Sequence, residues 1–389
     1  MKRKRSSKHH NDPQKRIKSQ PESQPSESPL QALPNEMLLK IRNHLVDVKD
    51  VRSLSHACQK MHSLFQRDVR VATLLDAVVT GNIKRLETLL LGNASLLTSP
   101  DGQATDYAGR KFKRLSPIQA AFCVGDEQMC SLVIDVYLKH FPEKKATLAR
   151  QLHEIFPEEY AAHVIKQQAI AQAFKLNYID PLVLAITNAQ TSEVERALQK
   201  NKDNSELCRL LNAFKTAFTE LALHEKTFNP YPLLSALKIH EEKYHAWYVN
   251  DDNPARWLRL DLFWRQVIGW IQRYLSANLA QAFCTGINKI VTLDNPLQRS
   301  LQVSQIGKGD FHFFPSKDPL SGLGYDAAIT NYFDTPSDGA VALNGWRPWA
   351  QCVSRLLEIL LSNKQTQLQA LYDGTQMAVH RHATPNRME

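Results

Sequence analysis

Glycine is scarce, with 14 residues in a chain of 389. A fold of many short strands joined by tight turns needs more of it, so a strand-rich architecture is disfavoured. Also missing is any continuous apolar run near the roughly 18 residues that a membrane-spanning helix requires, so no membrane span is expected. The charged start is not followed by an apolar stretch, and no secretory signal is expected. The six cysteines (Cys58, Cys123, Cys130, Cys208, Cys284, Cys352) are scattered, with no Cys-x-x-Cys pair among them. Zinc centres and disulfide frameworks need clustered ligands, so these thiols are expected to be reduced, mostly buried and cytosolic.

Signatures of catalysis are missing in the same way. There is no Gly-x-Ser-x-Gly elbow, Gly307-Lys308-Gly309 lacks the rest of a phosphate loop, and Gly322-x-Gly324 is too short for a dinucleotide fingerprint. His240-Glu241-Glu242-Lys243-Tyr244-His245 has the look of a zinc-protease helix. Its histidines are five apart, about 140° round a helix, where shared ligation needs an i, i+4 pair. Asp251-Asp252 reads as a solvated loop, and Cys284 on an apolar helix face reads as packing. With 14 histidines present, a Cys–His nucleophile pair stays open as an alternative. The expectation is a protein without catalytic residues, cofactor or metal.

What is present is helical periodicity and one concentrated block of charge. The net charge is +9, yet eight cations and a single acid, Asp12, fall within residues 1–20. Seven of the nine net charges therefore sit in the tail, and the remainder is nearly neutral. A nucleic-acid-binding domain carries its basic patch on the fold, so no specific nucleic-acid partner is expected. Residues 1–29 are also rich in Ser, Gln and Pro, a composition that cannot bury enough apolar area to order itself. The clusters Lys2, Arg3, Lys4, Arg5 and Lys15, Arg16, Lys18 have the spacing of a bipartite nuclear-import signal, with a simple solvated polybasic tail as the alternative.

From Leu33 to Leu45 the chain predicts a short helix. Pro34 suits a first turn, Glu36 suits the positive end of the helix dipole, and Leu38, Ile41 and Leu45 share one face. After a turn at Asp47–Asp50, Val51, Leu54, Cys58, Met61 and Phe65 recur at +3 and +4, predicting a second amphipathic helix. Two short helices cannot close a core alone and need a partner.

This segment resembles the F-box family. Leu33-Pro34-x-Glu36, then Leu38-Leu39-Lys40-Ile41 and Leu45, match its first helix; Lys49-Asp50-Val51 and Leu54-Ser55-x-Ala57-Cys58-x-Lys60 match its second part. One extra residue precedes the Lys49-Asp50 turn, and Met61 stands where Trp is common. The resemblance implies a surface that binds the Skp-type adaptor of a cullin–RING ubiquitin ligase, through Leu33, Pro34, Ile41, Leu45, Val51 and Leu54.

Further along, Val71–Leu91 reads as a helix, a Gly81-Asn82 turn and a second helix carrying Ile83, Leu86, Leu89 and Leu90 inward. A like unit runs from Leu115 to Val133 with a Ser116-Pro117 start and a Gly125-Asp126 turn, and a weaker copy begins at Asp180-Pro181-Leu182. These units resemble ankyrin repeats, although Leu74 and Ile118 lie 44 residues apart, longer than the period of about 33. Insertions or degenerate repeats are expected.

The C-terminal half stays helical to about 290, with Trp257, Trp264, Trp270 and Tyr274 at core-like spacing. Phe311–Pro315, Leu320–Thr330 and Gly339–Gly345 read as short strands, followed by a helix from about Trp349 with Val353, Leu356 and Leu360 on one face. The order of these pieces, with Ser321-Gly-Leu-Gly-Tyr-Asp326, resembles the tails of proteins from intracellular bacterial pathogens.

The expected fold is mainly α: a disordered basic tail (1–29), an F-box-like hairpin (30–70), ankyrin-like repeats (71–145), a helical domain (146–300), a mixed α/β element (301–375) and a disordered tail (376–389). The expected function is that of a substrate adaptor docking a Skp-type adaptor and cullin scaffold and presenting a target protein. It would act in cytoplasm or nucleus, as a virulence effector in a host cell. The alternative is an effector enzyme in the C-terminal domain, the F-box-like segment serving localisation.

Overall fold

The computed structural model describes residues 29–45, 48–198, 205–248, 254–292, 296–297, 299, 302–305, 309–312 and 353–383. The protein is mainly helical, with small two-stranded sheets. The two basic clusters, the Gly307-Lys308 pair, Asp251-Asp252 and the strands expected at 320–345 lie outside the described residues.

The first segment folds as three helices rather than a hairpin: α1 (Asn35–His44), α2 (Val48–His56) and α3 (Gln59–Val79). The unbroken +3/+4 pattern from Val51 to Phe65 crosses a helix boundary at Cys58, whose extended backbone and sulfur cap the Met61 N–H. Leu38, Met61 and Phe65 are fully buried together, ringed by Leu30, Leu33, Leu54, Cys58 and Leu64. Because α3 has 21 residues, its second half (Ala72 to Val79) leaves this small cluster and enters a larger core.

That larger core takes in α4 (Ile83–Leu90), a 3-10 turn at Ala94–Thr98, a hairpin of β1 (Gln103–Thr105) and β2 (Lys111–Lys113), α5 (Pro117–Val124) and α6 (Glu127–His140). The hairpin is antiparallel, with Ala104 opposite Phe112. Together with the 3-10 turn it fills the long spacing between the two repeat-like units. Gly102 lets it approach α3 closely, since a Cβ there would meet a Val71 methyl at 2.9 Å. The Ser116 side chain and Gln119 form a capping box at the start of α5. Gly125, at φ 65°, ends it in the left-handed conformation, and Asp126 caps α6.

After α7 (Lys145–Ile155), a continuous helix runs through α8 (Glu159–Phe174), a π turn (Lys175–Ile179) and α9 (Asp180–Asn188). Asp180-Pro181 is therefore no repeat start. Pro181 has no N–H to donate, and the chain absorbs it by widening one turn, so that the Asp180 N–H reaches the Lys175 carbonyl five residues back. The stretch 142–188 holds an 18-residue window of mean hydropathy 1.2, apolar enough to cross a membrane by length and composition only; 33% of it is buried. Sequence inspection passed over it because Gln and Lys interrupt the apolar residues.

A second large core is built by α8 and α9 with α10 (Thr191–Leu198), α11 (Glu206–His224), α12 (Tyr231–Tyr248), α13 (Pro254–Phe263), a π turn (Trp264–Ile268), α14 (Gly269–Gln272), α15 (Ala277–Thr285) and α16 (Ile287–Thr292). Trp264 and Tyr274 are buried in it, as the spacing implied, and Trp270 stacks with Lys215 and Arg273 at its edge. A small hairpin follows, β3 (Gln302–Gln305) with β4 (Gly309–His312). The last helix, α17 (Val353–Ala383), belongs to both cores. Val353, Leu356, Leu357, Leu360 and Leu361 pack into the second, and Leu368 and Tyr372 into the first. It continues past the expected tail boundary at 376, because nothing breaks the helical sequence before Pro385.

Arg110, at the base of the β1–β2 loop, joins the cores. It is 2% exposed, donating through Nε to the Ala222 carbonyl (3.1 Å) and through Nη2 to the Tyr274 carbonyl (3.1 Å), with its guanidinium over the Phe228 ring. Asp106 lies 3.7 Å from it and accepts the Arg110 backbone N–H. The base of the hairpin loop is thus docked on the helical domain, while Gly109, Lys111 and Lys113 stay exposed.

Candidate functional site

Two surfaces stand out. The first is the outer side of α1. Pro34, in extended backbone, precedes the helix, and its carbonyl accepts from Met37 and Leu38. Lys60 holds this entry in place, donating to the carbonyls of Gln31 (3.0 Å) and Leu33 (2.9 Å). On the inner side, Leu38 is buried, and Arg42 one turn on binds Asp68 of α3 (2.8 Å) and the Asp101 carbonyl. Burial pushes the Asp68 carboxyl up, and Arg42 opposes that. The ion pair ties α1 to α3 within the three-helix head, and the head is fastened to the body by the shared helix α3 and by the Arg42 hydrogen bond to the Asp101 carbonyl.

Facing outward, Pro34 is exposed, Met37 is 45% exposed, and Ile41 and Leu45 are half-buried. At intervals of three, four and four these form one apolar stripe. Leu39, 41% exposed, lies across the buried stripe from it. Of the expected contact residues, Leu33, Pro34, Ile41 and Leu45 are gathered here, and Leu54 is half-buried in the head. Val51 needs correction: at 3% exposure it faces the interior and is withdrawn from any partner. Met37 and Leu39 were missed, since a pattern that locates the buried face says little about apolar residues beside it.

The second surface is a cleft of about 390 Å³ between the α7–α8 corner, one side of α8 and the α11–α12 connection. Its floor is a closed polar network. Thr227 Oγ1 lies 3.0 Å from His163 Nε2 and accepts from Gln167 Nε2 (3.1 Å); Asn229 donates to the Gln167 carbonyl (2.7 Å) and accepts from the Tyr231 N–H (3.0 Å). Burial, with Lys166 nearby, lowers the pKa of His163. A smaller cavity lined by Cys123, Tyr160 and Lys364 shares Phe156, His163, Gln167 and Thr227 with it. Nothing in the sequence pattern marks this floor beyond the turn-forming Asn229-Pro230 pair.

Burial pushes the Cys123 and Cys284 thiols to about 12 and Cys130 upward as well. All three stay protonated at neutral pH, which is unsuited to nucleophilic attack. Glu241 accepts the N–H and hydroxyl of Ser354 at the start of α17, and His240 is buried among Tyr244, Phe263 and Trp264. That sequence motif therefore does structural work in the second core. Among the described residues, no group of three or more His, Cys, Asp or Glu is placed to hold a metal ion.

No family model, curated protein or solved structure matches the chain.

Proposed function

We propose that the protein is an F-box-type substrate adaptor: the outer stripe of α1 docks a Skp-type adaptor of a cullin–RING ubiquitin ligase, and the body holds a target for ubiquitin transfer. The observation that carries this reading is the apolar stripe Pro34, Met37, Ile41 and Leu45 on a head joined to the body through α3 and the Arg42 contact with the Asp101 carbonyl. An apolar face left open on an otherwise closed three-helix cluster suits a partner surface. Rigid attachment suits a bridge, because the ligase must meet its target at a fixed separation. The degenerate ankyrin-like repeats serve as the spacer between head and target-holding region. Catalysis by the chain, a membrane span, or nucleic-acid recognition is not needed for this role, and delivery into a host cell as an effector accords with it.

The test is co-purification of a Skp-type adaptor with the full chain, beside the variant Pro34→Glu/Met37→Glu. Both side chains are solvent-facing and acids suit a helix N-terminus, so the variant keeps its fold. Wild type should retain the adaptor, and the variant should lose it by about 100-fold, two charges desolvated in an apolar contact costing some 3 kcal/mol or more. Absence of binding by wild type at micromolar concentration overturns the proposal.

A further inference from the structure

The continuous helix from α8 through the π turn to α9 buries Phe174, Ile179, Leu182 and Ile186 in the second core and leaves its opposite side exposed. We propose that this exposed side is an interface with a second copy of the chain, the two helices running antiparallel across a two-fold axis between Phe174 and Lys175. The surface is separate from the α1 stripe, so the inference goes beyond the adaptor reading and stands independently of it.

Half of the large apolar side chains exposed among the described residues lie on this one run: Ile165, Leu176, Tyr178 and Leu184. Ile165, Leu176 and Leu184 are each more than half exposed. On a uniform α-helix Ile165 and Leu184, nineteen positions apart, would point about 100° away from each other. The π turn (Lys175–Ile179) absorbs one extra residue, which leaves five whole turns and brings the two to one azimuth. With Ala161, Ala169, Gln172 and Leu176, all exposed, they form a single stripe, about 28 Å long from Ile165 to Leu184.

Sparse charge identifies the occupant. The chain carries +9 overall, so two copies repel, and contact is least opposed where charge is low. From Tyr160 to Asn188 the one exposed charged residue is Lys166; Lys175 and Asp180 are half-buried and bound to each other at 2.9 Å. The two-fold axis sets Ile165 opposite Leu184 of the other copy, Ala173 opposite Leu176, and Gln172 opposite Asn177. Small side chains thus meet large ones, and amide meets amide, each able to donate and accept. Asp180 falls opposite Ala169, one turn from Lys166, so unlike charges approach across the seam. Parallel pairing would instead stack Lys166 on Lys166. A lipid surface fits this side less well. Gln168, Gln172 and Asn177 lie in it, and amides entering hydrocarbon lose their hydrogen bonds. Lys166 is also a single exposed cation where an interfacial helix carries several. One helix-long stripe is small for a specific interface, so the dimer is expected to be weak.

Sedimentation equilibrium of the full chain, with no ligase component present, tests this across roughly 1–100 μM. The mass should rise with concentration from 44.3 kDa toward twice that value. Ile165→Lys/Leu184→Lys, at positions too exposed to disturb the core, should weaken the dimer more than about tenfold, because lysine then faces lysine across the axis. Lys166→Glu, which meets Asp180 with a like charge, should weaken it by a smaller factor. Oxidative cross-linking reads the register, in a background with Cys58 and Cys352 replaced by serine. Ile165→Cys mixed with Leu184→Cys should give a cross-linked dimer, and neither variant alone should. A chain that is monomeric throughout, a dimer indifferent to the double lysine variant, or cross-linking of Ile165→Cys to itself overturns the proposal. A monomer that floats with phosphatidylcholine vesicles, and no longer does so with both lysines introduced, assigns the face to lipid and overturns it equally. None of these readings involves the Skp-type adaptor, so their failure leaves the α1 stripe untouched.

Discussion

Replacing Arg110 by alanine will destabilise the protein by about 3–5 kcal/mol, the range found when one partner of a buried charged network is removed. The side chain is 2% exposed and, from a loop of the first core, reaches the Ala222 carbonyl of α11 and the Tyr274 carbonyl in the turn after α14, both in the second core. Its removal leaves the Ala222 and Tyr274 carbonyls without these donors, and strands Asp106, whose carboxyl burial already pushes up and Arg110 pulls back. The 3.7 Å separation shows that the carboxylate is the lesser partner and the carbonyls the main ones. Arg110→Lys should rescue little, since one ammonium cannot reach both carbonyls in a fork. Denaturant unfolding should show the loss, with the transition splitting as the two cores lose their clamp. A single transition at an unchanged midpoint would refute the clamp.

Acid will act through His240. Full burial among aromatic rings lowers its pKa from the ordinary 6.5 to about 4, so the native state keeps it neutral. Below pH 6.5 the unfolded chain binds a proton that the native chain refuses, and stability falls with falling pH until about pH 4. The loss attributable to this one group is about 3 kcal/mol across that window. Asp68, Asp106 and Glu241 have raised pKa values and act oppositely near the carboxylate range, since the native state then binds the extra proton. Comparison with His240→Leu isolates the term. Denaturation midpoints between pH 7 and 4.5 should fall more steeply for wild type than for the variant. Equal slopes would show that His240 takes up its proton without penalty.

Much of the local structure was legible in residue spacing. Pro34 and Glu36 marked the start of α1, and Ser116-Pro117 with Gly125-Asp126 bracketed α5. These are signals in which one residue type satisfies one backbone need. The break at Cys58 was invisible because α2 and α3 bury a common side and so keep one apolar rhythm across two helices. Asp180-Pro181 misled for the opposite reason: a π turn lets a proline stay inside a helix. Harder still were the long-range facts, namely α17 serving two cores and Arg110 clamping them over separations of 112 and 164 residues. No periodicity records such pairings. Among the residues expected to touch the adaptor, Val51 is buried, whereas Met37, which the spacing passed over, is exposed.

Backbone hydrogen exchange of the full chain with and without a Skp-type adaptor tests the central claim most directly, because it locates the contact rather than only detecting it. The account predicts slowed exchange confined to residues 33–45, with α8 and α9 unchanged. Unchanged exchange across α1 at saturating adaptor, or protection that falls on α8–α9 instead, would contradict it.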